Sequence, residues 1–423
     1  MNNNITTIWS LPKKIFFLFV SAYIFFYMFP FPIDAIPFVG DALEYYNKFT
    51  DFITKQIANY WLGIYPFNRI EDTYSADTTF DYIKLITMLL LTSITTILIY
   101  VFTKKQTNYT KPYALILVYA RYYLAFALIG YGFFKTLDIQ FPFPTLSTLE
   151  ERYGSSSPMH LLWTFMGYSR PYVVFTAGLE IMAGIFLWFK KTTVLGCLLS
   201  LIIMTNVAML NFCYDVPVKI HSCHLVLITL YILSPNFKRV FNFLVLNKTT
   251  EISTPLINLT KRWMQIARLV LKPILIIGLF ISIFFNTFYH SFDPKPTKTL
   301  NSTYKTTVFV LNKDTLPPLI TSENRWDKMV IEGDVIYFYA MRNSMQTHHF
   351  DIDTINKIIS KRADGDTSTF FKFKYKHLPN NCFSILGKFN KDSIYANFTK
   401  KMVKDYPLSS RGFHWINEYP YDN

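Results

Sequence analysis

Cysteine is scarce in this chain: Cys197, Cys213, Cys223 and Cys382 are all that 423 residues contain, too few for a disulfide scaffold. No P-loop, dinucleotide fingerprint, zinc-ribbon spacing or internal repeat occurs either, which excludes the common nucleotide-binding, structural-zinc and solenoid architectures. Charge is thin, at 17% of residues. The formal net charge of +14 invites a nucleic-acid reading, but basic residues between apolar runs first orient membrane helices, so no nucleic-acid partner is expected.

What the chain has is apolar residues in long runs. A composition of 51% hydrophobic and 18% aromatic residues, with a mean hydropathy of +0.21, could build one large soluble core. The arrangement speaks against that, because runs nearly free of charge recur before residue 290 and then stop. A span needs roughly 20 mostly apolar residues, and the segments 12–31, 83–102, 113–134, 171–189, 193–211, 220–234 and 270–289 qualify. The first has two readings, a retained span or a cleaved signal, since Lys13-Lys14 precedes the apolar run Ile15–Phe29. No small-residue cleavage site follows it and its core is crowded with Phe and Tyr, which favours the span.

Basic pairs fall in alternate loops: Lys13-Lys14, Lys104-Lys105, Lys190-Lys191, Lys238-Arg239 and Lys261-Arg262. Acids gather in the others, as with Asp34, Asp41, Glu44, Asp51, Glu71, Asp72, Asp77 and Asp81. The positive-inside rule then sets the N-terminus inside, and seven spans set the C-terminus outside. Between the first two spans Tyr45, Phe49, Phe52, Ile57 and Tyr60 recur at helical spacing with Trp61 beside them. They form an amphipathic helix that either lies on the outer membrane surface or packs on the bundle.

After residue 290 the period changes to two. Thr306–Leu311, Lys328–Ile331, Val335–Met341, Thr369–Tyr375, Cys382–Gly387 and Ser393–Phe398 read as strands, with turns at Gly333-Asp334 and Asn390-Lys391-Asp392. About eight short strands in this stretch imply an antiparallel sheet or small barrel. His348 and His349 would point to opposite faces of a strand, which argues against a metal there. The expected organisation is 1–111 (N-terminal spans and outer amphipathic helix), 112–235 (a four-helix membrane core), 236–290 (inner loop and last span) and 291–423 (an extracytoplasmic β domain).

Two polar groups of residues stand out. Arg121 and Glu180 lie inside spans, where a charge costs roughly 2.5–3.5 kcal/mol and therefore faces the bundle and a partner. Counting from the span ends puts the two at matching depths and predicts that they pair, either as a structural ion pair or as a polar site for a proton or headgroup. The second group is the turn Asn211…Asp215-Val-Pro-Val-Lys219…His221…His224, between spans five and six. Within it Cys213 and Cys223 flank a turn of nine residues, on the side expected to be oxidising, and predict a disulfide; free thiols and a Cys/His/Asp metal site using His221 and His224 are the alternatives.

These residues also carry a resemblance. Arg121 to Lys135, with its Gly130–Gly132 turn, resembles the first helix of DoxX-like membrane proteins. Gly178-Leu-Glu-Ile-Met-Ala-Gly184 resembles their second-helix signature, and Asn211…Asp215…Lys219…His224 resembles the polar turn of a larger subgroup. The resemblance covers about residues 112–235 and implies a four-helix bundle in a bacterial cytoplasmic membrane. It marks Arg121, Lys135, Glu180, Asn211, Asp215, Lys219 and His224 as site residues and suggests a link to quinone or thiol redox partners. The extra spans and the β domain depart from the family pattern. Two functions follow as expectations: a redox-associated subunit holding a quinone or thiol partner near the outer face, or a non-enzymatic scaffold whose β domain binds a protein. A small-solute transporter ranks below both, and the sequence leaves open whether the protein is an enzyme.

Overall fold

The computed structural model describes residues 9–33, 40–64, 75–137, 139–250, 300–342, 344–361, 370–411 and 414, with isolated positions between 262 and 281. The chain divides into two units. One comprises Met1–Phe141 and Pro171–Ser291, the other Pro142–Arg170 and Phe292–Asn423.

The first unit is helical: α1 (Leu11–Met28), α2 (Gly40–Gln56), α3 (Thr79–Thr103) and α4 (Thr110–Thr136), then, after the inserted segment, α7 (Arg170–Trp188), α8 (Thr193–Cys213), α9 (Lys219–Leu233) and α10 (Phe237–Leu244). α3 starts at a capping box in which Thr78 Oγ1 accepts from the Asp81 amide at 3.3 Å and Asp81 accepts from the Thr78 amide at 2.9 Å. Its burial pattern is inverted relative to a water-soluble helix. Thr87, Thr92 and Thr96 are buried, while Ile94, Ile97, Leu98 and Phe102 are exposed. A helix that hides its threonines and shows its isoleucines suits an apolar solvent.

Six helices among the described residues are long and apolar enough to cross a membrane: Leu11–Met28, Thr79–Thr103, Thr110–Thr136, Arg170–Trp188, Thr193–Cys213 and Lys219–Leu244. They correspond to the first six expected spans. The seventh, 270–289, falls largely outside the described residues. The chain is a membrane protein whose helices contact the bilayer.

The ends of these helices agree on their sides. The Trp9 amide donates to Thr107 O (3.0 Å), joining the start of α1 to the α3–α4 turn. At the other end the Ala76 amide donates to Pro217 O (2.9 Å), joining the start of α3 to the α8–α9 turn. The aromatic face of α2 and of the π-helical turn Ile57–Trp61 that continues it does not pack on the bundle, since Tyr45, Phe49, Phe52, Tyr60 and Trp61 are exposed while Thr54 and Ala58 are buried. That leaves the face available to lipid.

The second unit is a closed antiparallel barrel. Strands β1 (Ser302–Leu311), β3 (Trp326–Glu332), β4 (Val335–Ala340), β5 (Met345–Asp353), β6 (Ile358–Lys361), β7 (Phe371–Leu378), β8 (Cys382–Phe389) and β9 (Asp392–Lys401) pair in sequence order. β9 returns to β1 to close the ring, and two-residue β2 (Asp314–Thr315) hairpins onto β1. The turns use residues that tolerate positive φ: Asn312-Lys313 (51° and 79°), Gly333 (64°) and Asn390 (54°). Phe371, Phe373 and Tyr375 point inward from β7 and Lys372, Lys374 and Lys376 point outward. Inside, aromatics fill the lumen, with Trp326 stacked on Phe338 at 4.2 Å and Tyr304 against Phe383 at 4.5 Å. The barrel is therefore a packed core. His348 lies among Phe338, Phe371 and Phe389, whereas His349 faces out toward Asp334 at 3.5 Å, as the strand alternation requires.

The segment between α4 and α7 belongs to this barrel. It carries α5 (Leu146–Leu149) and α6 (Pro158–Tyr168), and α11 (Pro407–Ser410) follows β9. Glu332, at the end of β3, accepts from the Leu146 and Ser147 amides (3.2 and 3.4 Å) and caps α5. Glu150 is held by Lys328, by Lys401 (3.3 Å) and by the Tyr406 hydroxyl (2.5 Å). Leu146, Val330, Tyr339 and Tyr406 make the apolar patch beneath.

Candidate functional site

Two glycines on facing helices decide where the buried charges meet. A Cβ on Gly132 of α4 would lie 2.8 Å from Ala177 O, and one on Gly184 of α7 would lie 2.9 Å from Ala125 O. Both are closer than any side chain permits, so the helices touch backbone to backbone there. This register puts Glu180 level with Ile129 of α4, and Lys135 Nζ, reaching back from the last turn of α4, meets Glu180 Oε1 at 2.5 Å with both side chains almost fully buried. The expected partner, Arg121, is elsewhere. It lies nearer the other end of α4, with Nη1 3.4 Å from Thr193 Oγ1 and its guanidinium over the Tyr122 ring. The depth count failed because it measured from span ends, whereas the glycine contact sets the register and the long Lys135 side chain runs down the helix toward the carboxylate.

The polar turn separates into three parts. Asp215, at φ 51°, meets Lys219 Nζ at 3.0 Å as an exposed pair. Asn211 is buried, and its Nδ2 donates to Val218 O at 3.4 Å across the turn. The histidines turn inward to α1: Tyr27 Oη lies 2.8 Å from His221 Nδ1 and Tyr23 Oη lies 2.7 Å from His224 Nε2. The Tyr27 ring stacks on His224 at 3.8 Å and 6°. Farther along the same seam Ser21 and Tyr231 share a hydrogen bond of 2.8 Å.

Asp77, one of the acids of the loop before α3, holds the start of α9. Its carboxylate accepts from the Lys219 amide at 2.6 Å and the Ile220 amide at 3.0 Å, satisfying two free helix donors. The tyrosines of α1 were also missed. Their signal was present, since Tyr23 and Tyr27 stand four apart and so share a face of the span.

The predicted disulfide is not formed: all four cysteines are free. Cys213 is exposed at the end of α8, and the first turn of α9 directs Ser222 and His224 inward, leaving Cys223 half-buried. Among the described residues no group of three His, Cys, Asp or Glu side chains could hold a metal, and both candidate histidines are occupied by tyrosines.

Tyr131 joins the two clusters. Its ring is 5.7 Å from that of His221, and it lies within electrostatic reach of the Glu180 carboxylate. Each of these two neighbours carries a buried polar atom with no hydrogen-bond partner, Glu180 Oε2 and His221 Nε2. The site thus offers one free acceptor and one ring nitrogen whose role Tyr27 decides. When the Tyr27 hydroxyl donates to Nδ1, the ring proton sits on Nε2 and is available to a ligand.

An uncharacterised protein of Bacillus subtilis, YwoB, is 33% identical over 113 residues, which span 27% of this chain and 71% of that protein. No family model and no solved structure matches the chain. The chain belongs to the family of YwoB.

Proposed function

We propose that this member of the YwoB family uses its helical unit to hold the headgroup of a lipophilic carbonyl compound of the quinone class. The observation that carries this is the pair of unpartnered buried atoms, Glu180 Oε2 and His221 Nε2, on the two residues that neighbour Tyr131. A buried polar group without a partner costs roughly 1–3 kcal/mol, so two beside one ring favour a ligand that satisfies both. His221 donates to a carbonyl oxygen, and Glu180 accepts from the hydroxyl of the reduced form. Lys135 keeps the carboxylate in place, and Tyr23 and Tyr27 fix the imidazoles. When bound, such a headgroup supplies electron-carrying capacity; the chain supplies the grip. The DoxX-like resemblance of residues 112–235 and its redox associations support the same reading.

The proposal includes a topology. The segment 142–170 packs within the barrel unit and is joined at one end to α4 and at the other to α7, so the barrel shares its side of the membrane. After six spans the chain is back on the N-terminal side. Reaching the barrel by residue 300 then takes an odd number of crossings, and 270–289 is the segment we assign. With the basic loops inside, the barrel is extracytoplasmic in a bacterial cytoplasmic membrane. The second reading, a scaffold whose barrel binds a protein, has the packed lumen in its favour, because it leaves only the outer surface for recognition.

Gentle purification followed by quantitative mass spectrometry of co-purifying lipids tests the ligand. Wild type should carry near-stoichiometric quinone, and His221→Leu should lose it while remaining folded. Wild type without quinone, or occupancy in folded His221→Leu equal to that of wild type, would overturn the reading.

A further inference from the structure

Four strands around the ring from the face that docks α5, the outer surface of β7 and β8 is covered by no described part of the chain. Lys372, Lys374 and Lys376 project from alternate positions of β7, about 7 Å apart. Lys388 of β8 stands directly across from Lys372 and is exposed. Like charges placed opposite one another on neighbouring strands destabilise a sheet. Of the acids nearby in the register, Asp392 opens β9 opposite Phe389 and accepts from Asn312 Nδ2 at 2.6 Å, and Asp351 and Asp353 are on β5 with β6 between them and this row. Asp353 is moreover engaged by the Ile355 and Asn356 amides.

Large apolar side chains stand among these lysines. Leu386 is cross-strand from Lys374, Phe370 immediately precedes β7, and Ile355 sits on the β5–β6 turn at the other end of β7, where the Tyr375 amide donates to Lys357 O; they are 57%, 55% and 89% exposed. A soluble polyanion would use the lysines and leave these three in water. A lipid leaflet uses both, with ammonium groups at the headgroups and apolar side chains below them. The barrel's segment 142–170 is also continuous with α4 at one end and α7 at the other.

We propose that the β7–β8 face is a membrane-contact surface that rests on a leaflet containing anionic headgroups. Charge alone sets the lipid preference, since lysine presents a point charge with no bidentate geometry.

The test uses the full-length protein in nanodiscs and lysine acetylation read by mass spectrometry. Changing the lipid from pure phosphatidylcholine to roughly 30 mol% phosphatidylglycerol should slow acetylation of Lys372, Lys374, Lys376 and Lys388 by about threefold or more. Raising salt to roughly 0.5 M should restore the rates. Lys313, exposed on the β1–β2 turn, should not respond. Equal rates in both lipids would overturn the proposal. So would protection by soluble polyphosphate in phosphatidylcholine discs without any from phosphatidylglycerol, which would assign the face to a soluble polyanion.

Discussion

Lys135 and Glu180 meet because two glycines let their helices touch, and their burial makes the pair unforgiving. Glu180→Gln leaves an ammonium in a dry seam and should cost roughly 3–5 kcal/mol in a denaturant titration in detergent, while Lys135→Met with Glu180→Leu should recover most of the loss. Arg121→Met should show no coupling to Glu180 in the same double-mutant cycle. Glu150 gives a pH signature. Burial pushes its carboxyl up, but Lys328, Tyr406 and Lys401 together outweigh that and hold it below the ordinary 4.5. A carboxylate depressed in the folded state stabilises above its unfolded pKa and loses that contribution as pH falls through the folded value. Docking of 142–170 should therefore be intact above pH 4.5 and weaken below it, and Glu150→Gln should remove the dependence, as read by limited proteolysis at 137–145. Alkylation of intact membranes without reductant should label Cys213, and denaturing them without reductant should expose Cys223 as a thiol too. A disulfide between them would contradict the inward turn of α9.

At the scale of elements, the helices were legible because lipid-facing runs need only length and composition, and six expected spans have their counterparts. Partner choice was not legible. The Arg121–Glu180 pairing was argued from counted depth, and the register depends on Gly132 and Gly184, whose tight contacts are a tertiary fact. The same contrast gives a prediction. Gly184→Leu should overpack the α4–α7 seam by roughly 1–3 kcal/mol and lower membrane levels. Gly178→Ala, where an added Cβ meets nothing within 4 Å, should be tolerated. In the barrel, strands with strict alternation, such as β7, could be read directly. β5, Met345–Asp353, was not assigned, because its outward residues are mixed and only Phe350 is well buried. The polar site was half legible: Glu180, Lys135 and the turn residues carried a signal. The tyrosines of α1 and the capping Asp77 acquire meaning only when distant segments come together.

For the whole molecule, the segment 142–170 is the decisive feature, since a connection between two spans is built into a barrel made mostly of residues 300–411. Glu332 and Glu150 make that attachment specific, and they tie the side of the barrel to the side of one loop. The most direct measurement is impermeant-thiol labelling of single cysteines in a cysteine-free background, on intact cells and on inverted vesicles. Ser155→Cys and Lys391→Cys should label from one side only, the same for both, and Thr107→Cys from the opposite side. Labelling of Ser155→Cys and Lys391→Cys from opposite sides would contradict the account, since one folded unit cannot straddle the bilayer.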